Sequence, residues 1–142
     1  MLGLGLLIIG IGVAFVAGFA ASKLLSDATD SQQESAARQA VLDFDAAYED
    51  QDCAAFRTVV NRDLADQLAG GDFTCRGWVT IAASLQFDEG YGYSVDVVDV
   101  TVKGDSATVH TEEHLLDSES AYYSYTLERS DDGWVITRYD RE

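Results

Sequence analysis

Three observations predict an α+β fold with a membrane anchor. The first 21 residues are almost wholly apolar, the next stretch to about Leu85 repeats its apolar residues at helical spacing, and after Gly90 the period drops to two. The predicted architecture is an N-terminal transmembrane helix, then three helical segments packed on a curved four-stranded antiparallel sheet. Residues 1–21 are the expected transmembrane anchor, 22–33 a linker, and 34–142 the folded α+β domain.

From Met1 to Ala21 no side chain is charged, and Lys23 is the first that is. A run of ~20 apolar residues is what a helix needs to cross a bilayer core. The competing reading is a cleaved signal peptide. That calls for a basic leading region, a shorter apolar core and a small-x-small cleavage site. No basic residue precedes this core, and Gly18-Phe19-Ala20 fits a cleavage site weakly. Length therefore favours a retained single-pass anchor, with the membrane as partner through residues 1–21. Gly10, Ala14 and Gly18 recur four apart, with Ser22 next, so they share one helix face on which a second helix can approach closely. A homodimer or a protein partner is the corresponding expectation. The nearest cations, Lys23 and Arg38, both follow the helix and would keep the domain inside by the positive-inside rule. The two cysteines argue for the outside of the cytoplasm, and that side is the expectation here.

The chain carries 25 acidic and 9 basic side chains, a formal net charge of −16, all of it beyond the apolar run. Such a surface repels nucleic acid and anionic headgroups, so no nucleic-acid role is expected. Basic proteins and cations remain acceptable, although an acidic surface needs no partner to be soluble.

The first helix is expected to begin near Ser31, which forms a capping box with Glu34, and to end near Gln51. Ala37, Val41, Phe44 and Tyr48 fall on one face. Asp52 is a good N-cap for a short helix with Phe56, Val59 and Val60 inward. Asn61 can cap the next short piece, with Leu64 and Leu68 inward and Gly70-Gly71 as terminator. Thr74 caps the last helix, with Phe73 and Trp78 at the two staple positions and Trp78, Ile81, Ala82 and Leu85 as its buried stripe.

Tyr93, Val95 and Val97 alternate, then Val98, Val100 and Val102 alternate on the opposite parity. A parity switch inside one strand predicts a β-bulge. Lys103-Gly104-Asp105 turns the chain into a second strand, where Ala107, Val109, Thr111 and Glu113 alternate with Thr108, His110, Glu112 and His114. Asp117-Ser118-Glu119 turns again. Tyr123, Tyr125 and Leu127 share a face of the third strand. Ser130-Asp131-Asp132-Gly133 is a hairpin signal, and in the last strand Trp134, Ile136 and Arg138 alternate with Val135, Thr137 and Tyr139.

This order of elements, with VKGDSATVHTEEHLL in the middle of the meander and SDDGWVITRYDRE at its end, resembles the nuclear transport factor two-like superfamily, also called cystatin-like or SnoaL-like. The similarity is to small membrane-anchored or secreted bacterial members and covers residues 34–142. Gly104 to Val109 and Asp132 to Ile136 carry most of it. These motifs are structural, so they imply a cone fold more than an activity. The superfamily includes ketosteroid isomerases, scytalone dehydratases, polyketide cyclases and plain protein-binding modules. The resemblance implies a pocket at the wide end of the cone, where catalytic members hold an acidic or histidine base and a tyrosine donor.

Three constellations are candidates for chemistry. Cys53 and Cys75 lie 22 apart, each at the first turn of a predicted helix. A disulfide suits a domain outside the cytoplasm, and buried free thiols are the alternative. His110-Thr-Glu-Glu113-His114 matches the inverted zincin pattern, but on a strand the two histidines stand ~13 Å apart at ~3.3 Å per residue and cannot share a zinc. No metal and no cofactor is expected; a solvated strand face or a pH-sensitive patch around Glu112 is. Trp78, Asp88, Tyr91, Tyr93, Tyr123 and Tyr125 are candidate members of the pocket, with aromatic core packing as the alternative. The function expected is a non-catalytic binding or accessory module, with a small-molecule lyase or isomerase using the pocket as the rival.

Overall fold

The computed structural model describes the backbone of residues 12–89, 94–114 and 120–142, and the side chains of residues 29–85, 94–114 and 120–142. The elements are helices α1 (Gly12–Asp50), α2 (Cys53–Val59), α3 (Arg62–Leu68) and α4 (Cys75–Glu89), then strands β1 (Ser94–Lys103), β2 (Ser106–His114), β3 (Ala121–Ser130) and β4 (Gly133–Arg141). The chain divides into two compact units, Met1–Gln32 and Gln33–Glu142.

The expected linker, residues 22–33, is helical. No glycine or proline interrupts residues 19–50, so nothing in that stretch stops a helix from propagating. Ser31 is consequently inside α1 rather than at its start, and the capping box with Glu34 has no role. Among the described residues no helix is long and apolar enough to cross a membrane. Residues 1–11 of the expected anchor, Gly10 among them, lie outside the described residues, as does the side chain of Ala14.

In the second unit each helix boundary has a local chemical cause. α1 stops at Asp50 because Gln51 adopts a left-handed conformation, φ 55°. The Gln51 amide then donates to the Tyr48 carbonyl (3.3 Å) and the Asp52 amide to the Ala47 carbonyl (2.9 Å), which satisfies two carbonyls that a helix end leaves free. Asp52 caps α2, its Oδ1 accepting from the amides of Ala54 (2.9 Å) and Ala55 (3.0 Å). Asn61 caps α3 through the Leu64 amide at 2.8 Å, which makes α3 a helix of its own, and the helices among the described residues are four rather than the three expected. Thr74 caps α4 through the Gly77 amide at 3.1 Å. Gly70, at φ 71°, takes the left-handed turn that ends α3.

The four strands form an antiparallel meander in the order β1-β2-β3-β4. The predicted bulge is present: the β1 register shifts between Val97 and Asp99, leaving Val98 unpaired and 60% exposed. A second shift falls opposite Thr126 and Leu127, which pair with Arg138 and Ile136 and leave Thr137 as the extra residue of β4. This corrects the uninterrupted alternation expected for the last strand. Past Thr137 the parity flips, so Tyr139 joins Trp134 and Ile136 against the core while Arg138 is exposed.

The helices pack on one face of this sheet. Ala37, Val41 and Phe44 from α1, Phe56 and Val59 from α2, Leu64 from α3, and Trp78 and Ala82 from α4 meet Ala107, Val109, Leu127 and Ile136 from the strands. Leu85 departs from its expected buried position and is 40% exposed, because it lies past the last α4 residue that reaches the core. A disulfide joins Cys53 to Cys75, with the Cα atoms 5.5 Å apart, and ties α2 to α4.

Removing that bond as Cys53→Ser with Cys75→Ser should destabilise the domain by roughly 3 kcal/mol in the loop-entropy model. Urea unfolding of the full chain measures it, and superimposable curves for the oxidised protein and the double variant would count against any stabilising role.

Candidate functional site

Strand alternation carries a carboxylate into the interior. On β2 every second residue faces the helices: Ala107, Val109, Thr111 and Glu113, all buried. Glu113 is only 8% exposed, carried inward by the alternation it shares with Ala107, Val109 and Thr111. Burying a charge is costly unless it is paired or hydrogen-bonded. Here the Tyr125 hydroxyl, itself buried, donates to Glu113 Oε1 at 3.1 Å. Burial first, and then the neighbouring Glu113 charge, push the Tyr125 phenol far above its ordinary range. Burial also raises Tyr48 of α1. Two residues from Glu113, the Thr111 hydroxyl oxygen is buried without a hydrogen-bond partner among the described residues.

Rings fill the space around this pair. Tyr139 stacks on Tyr125 (centroids 5.5 Å apart) and on Tyr123 (5.6 Å). Phe44 of α1 meets Tyr125 edge-on at 5.9 Å. Of the pocket residues expected from sequence, Tyr123 and Tyr125 are thus brought together, through Tyr139. Trp78 belongs to a different place: it is fully buried in the helical layer, stacked on Phe56 at 4.3 Å, with Phe73 on Phe56 at 5.6 Å. The side chains of Asp88, Tyr91 and Tyr93 lie outside the described residues. Sequence reasoning passed over Glu113 and Tyr139. The signal for Glu113 was its shared parity with Ala107, Val109 and Thr111; Tyr139 had none, because the Thr137 bulge leaves no mark in the local pattern.

The outer sheet face is polar. His110 Nδ1 lies 2.7 Å from Glu142 Oε1, and His114 Nε2 lies 3.2 Å from Asp96 Oδ2, with the Ser120 hydroxyl 2.8 Å from its other nitrogen. The two histidines, both on β2, engage different carboxylates. Tyr122, 48% exposed, donates to Glu112 at 3.0 Å. The hydroxyls of Ser120 and Tyr122 hold the Glu112 carboxyl below the usual carboxylate range. Among the described residues no group of three or more histidine, cysteine, aspartate or glutamate side chains is placed to hold a metal ion.

A surface groove of about 580 Å³ lies on the helical side, lined among others by Arg57, Arg62, Asp66, Asp72, Phe73 and Cys75. Nothing in the sequence pattern pointed to it. Its wall forms where α2 gives way to α3 at Val60 and Asn61 and where the disulfide brings α4 alongside.

No protein-family model matches the chain, and no curated protein does. Among solved structures it is similar to the solution structure of a de novo β-sheet design protein, at 19% identity and a TM-score of 0.44, over 79% of this chain and 88% of that one.

Two substitutions separate the polar groups of the inner face. Tyr125→Phe leaves the buried Glu113 without that donor and should cost about 1–3 kcal/mol, whereas Thr111→Val removes a hydroxyl with no partner and should be neutral or stabilising by about 1 kcal/mol; chemical denaturation ranks them. The raised phenols also set an alkaline limit. A group whose folded-state value is raised contributes stability that is fully present below its unfolded value, about 10 for a phenol, and is lost as pH rises from there through the folded value. Stability should therefore fall above about pH 10, and less steeply in Tyr125→Phe, as read from urea midpoints across that range. Equal slopes in the two proteins would remove Tyr125 from the explanation.

Proposed function

We propose that this chain is a membrane-tethered member of the nuclear transport factor two-like superfamily. In this reading residues 1–21 anchor it, the domain of residues 34–142 stands outside the cytoplasm, and that domain works as a non-catalytic binding or accessory module. The observation that carries the reading is the filling of the inner sheet face. Tyr123, Tyr125, Tyr139 and Phe44 occupy it ring against ring, and Glu113 is engaged by Tyr125. A face closed by its own side chains offers little room for a substrate, and recognition would then fall to the outer surface. The Cys53–Cys75 disulfide supports an oxidising compartment. The apolar length of residues 1–21 supports an anchor.

The rival is a lyase or isomerase acting on a small molecule. It draws on Glu113, a buried carboxylate beside a phenol, since acid–base catalysts are built from such pairs. On that reading Tyr125 is the donor, Glu113 the base, and ligand entry would displace the stacked tyrosines.

The two readings part on one experiment. A photo-crosslinking side chain placed at Val98 or Tyr122 of the full-length protein, in its native membrane, should give a discrete protein adduct. Protease added outside intact cells should remove the domain. The enzyme reading wins instead if neither position crosslinks, while a small carbonyl compound raises the melting temperature of the wild type and not of Glu113→Gln.

A further inference from the structure

We propose that Cys75 Sγ is a site of thiol–disulfide exchange with a small peptide-like thiol, carrying carboxylates and an ammonium, seated in the groove between α2, α3 and α4. The two cysteines of the bond are placed unequally. Cys53 is half-buried and packs against the hydrophobic core, while Cys75 is exposed and lines the groove. Exchange requires a thiolate to reach one sulfur in line with the bond that breaks, so access selects the sulfur attacked. The incoming thiolate forms a new S–S bond to Cys75. The Cys53–Cys75 bond breaks, its electron pair leaves on Cys53, and that thiolate takes a proton from solvent. No net oxidation or reduction accompanies this step. Attack by Cys53 on the mixed disulfide reverses it and releases the small thiol.

The charges around the groove select the kind of thiol. The protein as a whole repels anions, at a net charge of −16. Arg57 and Arg62 nevertheless line this groove together. Among the described residues Arg57 makes no ion pair, and Arg62 reaches Asp66 only at 3.9 Å, with its side chain 89% exposed. Asp66 is occupied on its other oxygen by the Phe73 amide at 2.8 Å. Two guanidinium groups are thus available for carboxylates, which they bind in a planar, bidentate manner. Asp72, on the same lining, suits an ammonium, and Phe73 supplies an apolar wall. A volume of about 580 Å³ lies in the range of small-ligand pockets.

Opening the bond has a consequence at the sheet. The segment it closes, residues 53 to 75, carries Val60, which bridges Ile136 in parallel, and the Asn61 amide, which donates to the Ile136 carbonyl at 3.0 Å. That contact covers part of the β4 edge, so exchange at Cys75 would loosen the cover of an edge strand.

The test uses the oxidised full-length protein with glutathione, and in parallel with cysteamine, a cationic thiol, at equal thiolate concentration. Reactions are quenched with iodoacetamide and mapped by mass spectrometry. The expected adduct is on Cys75, with Cys53 alkylated. Glutathione should react faster than cysteamine by about threefold or more, against the order that the overall field imposes. Arg57→Ala with Arg62→Ala should reverse that order while circular dichroism and the urea midpoint stay unchanged. The proposal is overturned by an adduct on Cys53, by faster cysteamine on the wild type, by the same order in the double variant, or by no exchange at millimolar thiol.

Discussion

Four aromatic rings converge on the buried ring of Phe56: Phe44 and Tyr48 from α1, Phe73 from the approach to α4, and Trp78 from α4 itself, at centroid distances of 5.8, 5.6, 5.6 and 4.3 Å. Aromatic pairs of this kind contribute on the order of 1 kcal/mol each beyond the area they bury. Their larger effect here is on geometry. α2 and α3 are seven residues each, too short to be stable helices alone. They hold their shape because Phe56 fixes α2 against α1 and α4, and because the disulfide then closes the loop that contains α3. The groove between these helices, the position of Cys75 on its rim and the pairing of Val60 with β4 all inherit that arrangement.

The sheet solves a different problem. Its edge strands, β1 and β4, each carry a bulge, at Val98 and at Thr137. A bulge disrupts the row of backbone groups that an edge would present to another chain, and it changes which side chains face inward. On β1 the change brings Val100 and Val102 to the core after Val97. On β4 it brings in Tyr139, which completes the stack with Tyr123 and Tyr125. The same local irregularities therefore guard the edges and furnish the inner face. The two edges receive further cover from the helical layer, through the Val60–Ile136 bridge on β4 and through Arg38, which donates to the Val97 carbonyl at 3.3 Å on β1.

Against that apolar background, Glu113 and Tyr125 bring a hydrogen-bonded polar pair onto the inner face, with the Thr111 hydroxyl two residues away. A buried carboxylate costs desolvation that a hydrophobic pair would not, and replacement by apolar residues is often tolerated in such positions. Glu113 is held there by strand parity: its neighbours Val109 and Thr111 need the core, and a side chain two residues on must follow them. The phenol of Tyr125 meets the cost by donating its hydrogen bond and staying protonated.

Much of this fold is legible in the residues themselves. The caps at Asp52, Asn61 and Thr74, the turn at Gly104 and the hairpin before Gly133 rest on interactions between near neighbours, and the bulge after Val97 shows as a parity switch within one strand, so a local reading suffices to place them. Local reading failed at Ser31, where a capping pattern is overridden by a helix with nothing to stop it, and at Leu85, whose spacing is right but which lies beyond the core. The sequence by itself determined the element order, the strand alternation that turns Glu113 inward and His110 and His114 outward, and the acidic surface. Only the tertiary structure decided that Tyr125 meets Glu113, that Tyr139 turns toward Tyr125, that Trp78 stacks on Phe56, and that Arg57, Arg62 and Cys75 border one groove. Those outcomes depend on register between strands and on contacts between helices distant in sequence, and no periodicity within a single segment encodes them.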